Sequence, residues 1–442
     1  MTCLGLESLA AGLAVLVLAS LAAQSAAGAA PSPLAPEEVS ARIQSLRTAD
    51  VTLTVVDAAG KPLADTKVRV KMDRHRFLFG ANAFVINTAD TSADQQNYQK
   101  RFAELLNYAT VPFYWGMYEP EQGKTLAEKL RMMAEWCKAN GIRAKGHPLC
   151  WHEVPCKWLD GKPLDEVKRL QMERITREVK GFAGLIDTWD VVNEACVMPG
   201  YGGGKNPIGN LCKEMGNVKL ITETVAAARA ANAKAMLLLN DYDTSPKYEA
   251  LIKDCLAAGA SIDTVGIQSH MHGGYWGAQK AWETCERFAR FGKPLHFTEL
   301  TILSAPAHPK MDWHTTQPDW NTTPEGEKLQ ARQVEEFYRL LFSHPAVQGI
   351  TWWDFSDKGS WQGAPSGLVR KDMSPKPAYE ALMRMVKKEW WTAPQDLVTD
   401  KDGRVKFHGF LGTYSASAEG GAAAFDVEKT GAAEATAKLA AK

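Results

Sequence analysis

The period of the hydrophobic pattern changes repeatedly along this chain, and the changes follow a regular order. From Val51 to Val56 apolar and polar residues alternate, "DAAGKP" supplies turn residues, and "TKVRVKM" alternates again. Period-two alternation marks half-buried strands, so residues 51–75 read as a β-hairpin. A different rhythm starts at "FLFGANA" (77–83), a short apolar run followed by a helical stretch over 94–107. Three more pairs follow: "YATVPFYW" with 126–140, "RAKGHPLCW" with 164–182, and "DTWDVVNE" with 218–232. Four others complete the series: "AMLLLNDY" with 248–258, "DTVGIQSH" with 277–291, "PLHFTEL" with 324–343, and "QGITWWDF" with 376–390. The helices show apolar residues three and four apart, as in Val334, Phe337, Tyr338 and Leu341, and Asn140-Gly141 forms one C-cap.

Strands that alternate with helices imply a parallel sheet. Eight units in succession predict an α/β chain closed into a (β/α)8 TIM barrel, here over residues 76–391. An open doubly wound sheet is the alternative, disfavoured by the lack of a Gly-rich phosphate loop. Beyond Pro394 the pattern returns to period two, in "GRVKFHGFLGTYSASAEG" and "AAAFDVEK", with no helix between. Residues 392–442 therefore read as a β-rich extension that joins the N-terminal hairpin in a small accessory β-module. The closing "GAAEATAKLAAK" reads as a frayed end.

The first residues follow neither rhythm. "LAAGLAVLVLASLAA" (9–23) is apolar and small, short for a membrane span, and followed by small residues that offer cleavage sites. Residues 1–30 are expected to be a signal peptide and 31–50 a Pro/Ala-rich linker, which predicts a secreted or periplasmic protein. The leading segment has Glu7 and no Lys or Arg, so a retained N-terminal anchor is the competing reading. Of eight cysteines, Cys3 would leave with the signal. The remaining seven are an odd number, and Cys150 with Cys156 or Cys196 with Cys212 are near enough in sequence to pair.

Charge excludes some partners. Lys+Arg and Asp+Glu both number 51, so no net field draws nucleic acid or an anionic membrane, and a monomer is expected. The 14 Trp residues point elsewhere, since indoles near polar strand ends suit the apolar faces of sugar rings.

In a TIM barrel the reactive side chains stand at the C-terminal strand ends. Here the third strand ends in His147, Trp151 and His152, and the fourth in Asn193 and Glu194. The sixth ends in Gln268, Ser269 and His270, the seventh in Glu299, and the eighth in Trp352, Trp353 and Asp354. A carboxylate at the end of a buried strand is costly unless it is paired, protonated or used. Two of them, on the fourth and seventh strands, face each other across the mouth. Glycosidic cleavage needs such a pair, one acting as proton donor and the other as nucleophile or base.

At these residues the chain resembles glycoside hydrolase family 10, the retaining endo-β-1,4-xylanase family. "WDVVNEA" and "FTELT" are similar to its acid/base and nucleophile segments. "GHPLCWH", "GIQSHMH" and "TWWDFSDKGSW" are similar to its motifs on strands three, six and eight. The resemblance implies Glu194 as acid/base and Glu299 as nucleophile, with no metal and no cofactor. It implies that Asn193 holds the sugar 2-hydroxyl and that His147 and Trp151 line the glycone side. It further implies that Gln268 and His270 orient the nucleophile, and that Trp353 and Trp361 wall the site. Trp115 is carried over as a substrate contact, and a xylan-type polysaccharide is the implied substrate.

Two departures stand out. The family's second strand usually carries Glu-Asn and then Lys-Trp, polar groups that grip the next glycone sugar. In "TVPFYWGMYEPEQG" those polar sites hold apolar residues and Tyr114. The nucleophile motif reads Glu299-Leu300-Thr301, without the usual Asp that would pair with His270. Another β-glycan is therefore an alternative substrate, and a non-catalytic glycan-binding protein a more distant reading. A metal-dependent barrel hydrolase is the remaining alternative, because His270 and His272 form a His-x-His pair.

Overall fold

The computed structural model describes residues 32–440. Its centre is a closed eight-stranded barrel. The strands are β3 (Leu78–Asn82), β4 (Tyr108–Pro112), β5 (Arg143–His147) and β6 (Ile186–Asn193), then β7 (Met236–Asp241), β8 (Thr264–Ile267), β9 (Leu295–Leu300) and β10 (Val347–Trp352). Neighbours pair in parallel in chain order, and β10 closes the ring on β3. The eight strand–helix units thus fall where the hydrophobic pattern puts them. Their helices begin and end within a few residues of the expected bounds, for example Leu164–Gly181 and Pro324–Ser343. The last is shorter, Pro377–Arg384, and continues as a π-helical turn over Met385–Glu389.

The barrel is filled by side chains rather than hollow. Trp189 on β6 and Trp352 on β10 are fully buried, and the Trp189 ring lies against Gly146 on β5. A Cβ at Gly146 would stand 2.1 Å from the Trp189 ring. Interior packing is crystal-like and cannot yield that distance without moving a strand. Gly146→Ala is expected to destabilise the protein by about 1–3 kcal/mol or more, seen as a lowered midpoint in thermal or urea unfolding.

The accessory β-module is present, but its N-terminal part is not a hairpin. Strand β1 (Thr48–Val56) pairs with β12 (Arg404–Phe410) and β15 (Gly431–Lys438). Strand β2 (Lys67–His75) pairs instead with β11 (Gln395–Val398) and β13 (Gly412–Ala418), and β14 (Gly421–Val427) completes that sheet. Each N-terminal strand has one apolar face, Val51, Leu53 and Val55 on one and Val68, Val70 and Met72 on the other, all buried. Those faces belong to two different sheets, because each buries more against the C-terminal strands than a two-stranded hairpin could. The segment expected to fray is ordered as β15, parallel to β1 along eight residue pairs.

The expected linker over 31–50 is also structured. Pro36–Arg47 is a helix with Val39 and Ile43 buried, and β1 starts immediately after it at Thr48. Its last residue braces the barrel: Arg47 donates to the carbonyls of Phe342 (2.7 Å), His344 (2.8 Å) and Val347 (2.8 Å). The expected signal peptide, residues 1–30, lies outside the described residues. Among the described residues no helix is long and apolar enough to cross a membrane. Cys150, Cys156, Cys196 and Cys212 are buried free thiols, so neither suggested disulfide is formed.

Candidate active site

Six barrel strands deliver polar side chains to the C-terminal mouth. Each of these strands is apolar until its end, so the barrel core fixes the backbone that aims them. Glu194 follows β6 with φ 56°, a left-handed conformation unusual for a non-glycine residue. Its backbone N–H is anchored on the Asn240 carbonyl of β7 at 2.8 Å. Such a backbone costs roughly 1–3 kcal/mol and persists where the surroundings enforce it, commonly at functional sites.

Glu194 accepts three hydrogen bonds. Trp151 Nε1 donates to Oε2 at 2.9 Å, and Asn193 Nδ2 and Gln268 Nε2 both donate to Oε1 at 3.1 Å. Glu299, on β9, accepts from Asn240 Nδ2 at 2.7 Å and from His270 Nε2 at 3.0 Å. His147 Nε2 stands 4.0 Å from the same carboxylate. The two glutamates are linked through one amide network, because Asn193 Oδ1 accepts from both Asn240 Nδ2 (2.7 Å) and Gln268 Nε2 (3.1 Å). Thr298 Oγ1 in turn donates to Asn240 Oδ1 at 2.6 Å, which orients that amide toward Glu299.

Beneath Glu299 a buried charge chain crosses the barrel. Lys145 Nζ pairs with Asp190 Oδ2 at 2.6 Å, and the same oxygen lies 2.7 Å from His147 Nδ1. All three side chains are essentially inaccessible to solvent. In so dry an interior an isolated charge is untenable, and here each ion has its partner.

The environments of the two glutamates push their proton affinities apart. Burial pushes the Glu194 carboxyl up to about 8, with the charges of Glu299 and Asp241 adding to it and the bonds from Trp151 and Gln268 opposing it. Burial acts on Glu299 too, but His147, the His270 hydrogen bond and Lys145 outweigh it and hold that carboxyl below the usual glutamate value. Two carboxyls with pKa values driven to opposite sides of neutrality mark an acid and a nucleophile. The sign of the pH dependence follows. Activity is expected to be lost as pH falls through the lowered Glu299 value, where the nucleophile protonates. It is also expected to fall as pH rises through about 8, where Glu194 loses its proton. A profile of kcat/KM against pH checks both limbs, and a basic limb near 5 would contradict the assignment.

Most of the expected site residues converge. His147, Trp151, Asn193, Gln268 and His270 all surround the two glutamates, and Trp353 packs edge-on against His147 (5.5 Å) and His270 (5.6 Å). Trp361 lies 4.8 Å from the His270 ring, with Trp313 stacked on it at 5.5 Å. Two placements differ. Gln268 bonds Asn193 and Glu194, not Glu299, so it steadies the acid rather than the nucleophile. Trp115 is no substrate contact: it is buried, donates Nε1 to Glu119 Oε2 at 3.0 Å, and lies beneath Arg174. It opens a short helical turn, Trp115–Tyr118, that points it into the barrel wall, and the preceding Tyr114 is the side chain near His147 and Trp151.

One partner of the nucleophile escaped the sequence reading. Asn240 ends "AMLLLND" as Asn193 ends its own strand, so the same apolar-to-polar break could have found it. The missing Asp beside His270 is answered by Thr301, whose Oγ1 is 3.3 Å from His270 Nδ1. His272 does not share a ligand position with His270. It is buried among Trp313, Trp320 and Trp361, and among the described residues no three His, Cys, Asp or Glu side chains gather as a metal-ligand set.

Comparison with known proteins bears on this arrangement. Residues 71–385 match the family model of glycosyl hydrolase family 10. An anti-sigma-I factor, RsgI6 of Acetivibrio thermocellus, is 26% identical over 391 residues, covering 86% of this chain and 46% of that protein. An endo-1,4-beta-xylanase/feruloyl esterase of Xylanibacter ruminicola is 27% identical over 284 residues, covering 58% of this chain and 39% of that protein. The chain thus spans less than half the length of these two relatives. Native xylanase 10B of Thermotoga maritima has the same fold, with a TM-score of 0.60 at 24% identity over 71% of this chain and 96% of that one.

Proposed function

The chain belongs to glycosyl hydrolase family 10, and from that premise we propose that it is a secreted, monomeric retaining hydrolase of β-1,4-linked xylan-type polysaccharide. The observation that carries the reading is the division of labour between the two glutamates, one held protonated by burial and the other held ionised by His270, His147 and Lys145.

In the first step a Glu299 carboxylate oxygen attacks the anomeric carbon while the bond to the leaving sugar breaks. Glu194 gives its proton to the departing oxygen, so the leaving sugar departs as a neutral alcohol. In the second step Glu194, now ionised, takes a proton from water as the water oxygen attacks the anomeric carbon. The bond to Glu299 breaks, and configuration is retained after two inversions. A retaining pair stands about 5–5.5 Å apart, so that the nucleophile can reach carbon directly. Asn193 lies between the two carboxylates through its network, where a sugar 2-hydroxyl can take up its amide in the transition state.

The altered β4 favours one alternative within this class, a different β-linked glycan with weaker demands on the second glycone sugar. The relative called an anti-sigma-I factor makes a non-hydrolytic glycan binder the other alternative. Binding alone has no use for two carboxylates tuned in opposite directions, which supports the enzyme. The test is product analysis by NMR on xylan, arabinoxylan and mixed-linkage β-glucan. The expected result is release from xylan with the β-anomer appearing first. Release from the glucan alone would move the substrate, and an α-anomer would overturn the retaining mechanism.

A further inference from the structure

Four aromatic side chains from successive strand ends touch ring to ring around half of the barrel mouth. Trp353, after β10, meets Phe84, after β3, at 5.4 Å between centroids. Phe84 meets Tyr114, after β4, at 5.5 Å, and Tyr114 meets Trp151, after β5, at 5.2 Å. The first two contacts are edge-to-face, with interplanar angles of 79° and 85°. His147 lies inside the arc, 5.7 Å from Tyr114 and 5.5 Å from Trp353. Rings that pack edge against face close the gaps between them, so the arc is a wall rather than a row of separate stacking platforms.

The wall stands on the side of the cleavage point that the resemblance assigns to the glycone, and its polar capacity is small. Its polar atoms are the Tyr114 hydroxyl and the two indole N–H groups, and Trp151 Nε1 is already given to Glu194. Behind the wall, Thr110, Val111 and Phe113 on the β4 side are fully buried and cannot reach a ligand. A second glycone sugar would bring two or three hydroxyls out of water onto this surface, and each one left unpaired weakens binding roughly five- to hundredfold. The other half of the mouth is open. Tyr242, after β7, is 48% exposed, and burial and then the charge of Glu194 push its phenol up to about 12, which places it beside the acid. Tyr201 lies over His152 at 4.1 Å, and His152 stands 3.9 Å from Glu194.

We propose that the Trp353–Phe84–Tyr114–Trp151 arc ends the glycone side after one sugar, so that the enzyme removes single residues from the non-reducing end of a β-glycan. This rests on the retaining-hydrolase reading above. The glycan is held mainly through its leaving portion, on the side of Tyr242 and Tyr201.

The experiment uses β-1,4-xylohexaose and cellohexaose carrying 18O at the reducing-end carbon, with 4-nitrophenyl β-xyloside and β-glucoside alongside. The expected first labelled product is a pentaose, together with unlabelled monosaccharide, and an aryl glycoside of the same sugar is also cleaved. The double variant Phe84→Ala/Tyr114→Gly opens the wall, and its ratio of internal to terminal first cuts is expected to rise at least about tenfold. First products of two or three sugars from the native enzyme overturn the inference while leaving the hydrolase standing. Terminal release whose ratio does not change in the double variant overturns the role of the arc. No release from any of the four substrates overturns both this inference and the function it rests on.

Discussion

Replacing Glu299 by Gln is expected to abolish turnover, with kcat falling on the order of 10⁵- to 10⁶-fold, the scale seen when enzymes lose a covalent nucleophile. The substitution keeps the size and shape of the side chain, so Asn240 and His270 retain a partner and the fold is expected to persist. What disappears is the negative charge that His270, His147 and Lys145 are arranged to favour. An amide oxygen is a poor nucleophile, and without the covalent intermediate the reaction must pass in one displacement, for which no base is placed. Initial rates on the best substrate measure the loss. An activated 2-deoxy-2-fluoro glycoside gives an independent readout, since it should add a sugar mass to the native peptide containing Glu299 and none to the variant. Adduct formation on a different carboxylate would reassign the nucleophile.

Glu194→Ala is the second large effect, and its size depends on the leaving group. General acid catalysis contributes about 10²- to 10⁴-fold when the departing oxygen must be protonated, as it must for a sugar alcohol. A nitrophenolate leaves without help, so bond cleavage in an aryl glycoside should be little affected, and breakdown of the glycosyl-enzyme should become limiting. A burst of nitrophenol followed by a slow steady rate is the expected trace. Azide needs no general base, so it should restore turnover and yield a β-glycosyl azide. The basic limb near pH 8 should vanish with the group that causes it. Equal losses on polysaccharide and aryl glycoside, with no rescue by azide, would show that Glu194 acts through structure instead.

Much of this site can be read along the chain, for a reason visible in "TWDVVNEA". Trp189 to Val192 is a buried strand, and a polar pair at its end has no cheap explanation except use. The same break from apolar to polar marks Glu299, Gln268 and, overlooked at first, Asn240. Direction is harder to read. Trp115 and Tyr114 are adjacent, yet one is buried against Arg174 and the other stands beside His147, because a short helical turn begins between them. Gln268 likewise ends the expected strand but turns its amide to Glu194, a choice between two acceptors that spacing does not encode.

The sequence alone determined the barrel, the eight strand ends and the two glutamates. Period and polarity are local properties, and a closed parallel barrel leaves a repeated strand–helix pattern little freedom. Only the tertiary structure decided which strands share a sheet in the accessory module, since β1 and β2 carry the same alternation and are separated by sheet assignment alone. It also decided the opposite proton affinities of Glu194 and Glu299. Those depend on burial and on charges brought close from strands far apart in the chain, with Lys145 and His147 on β5 and His270 beyond β8 all bearing on one carboxylate of β9.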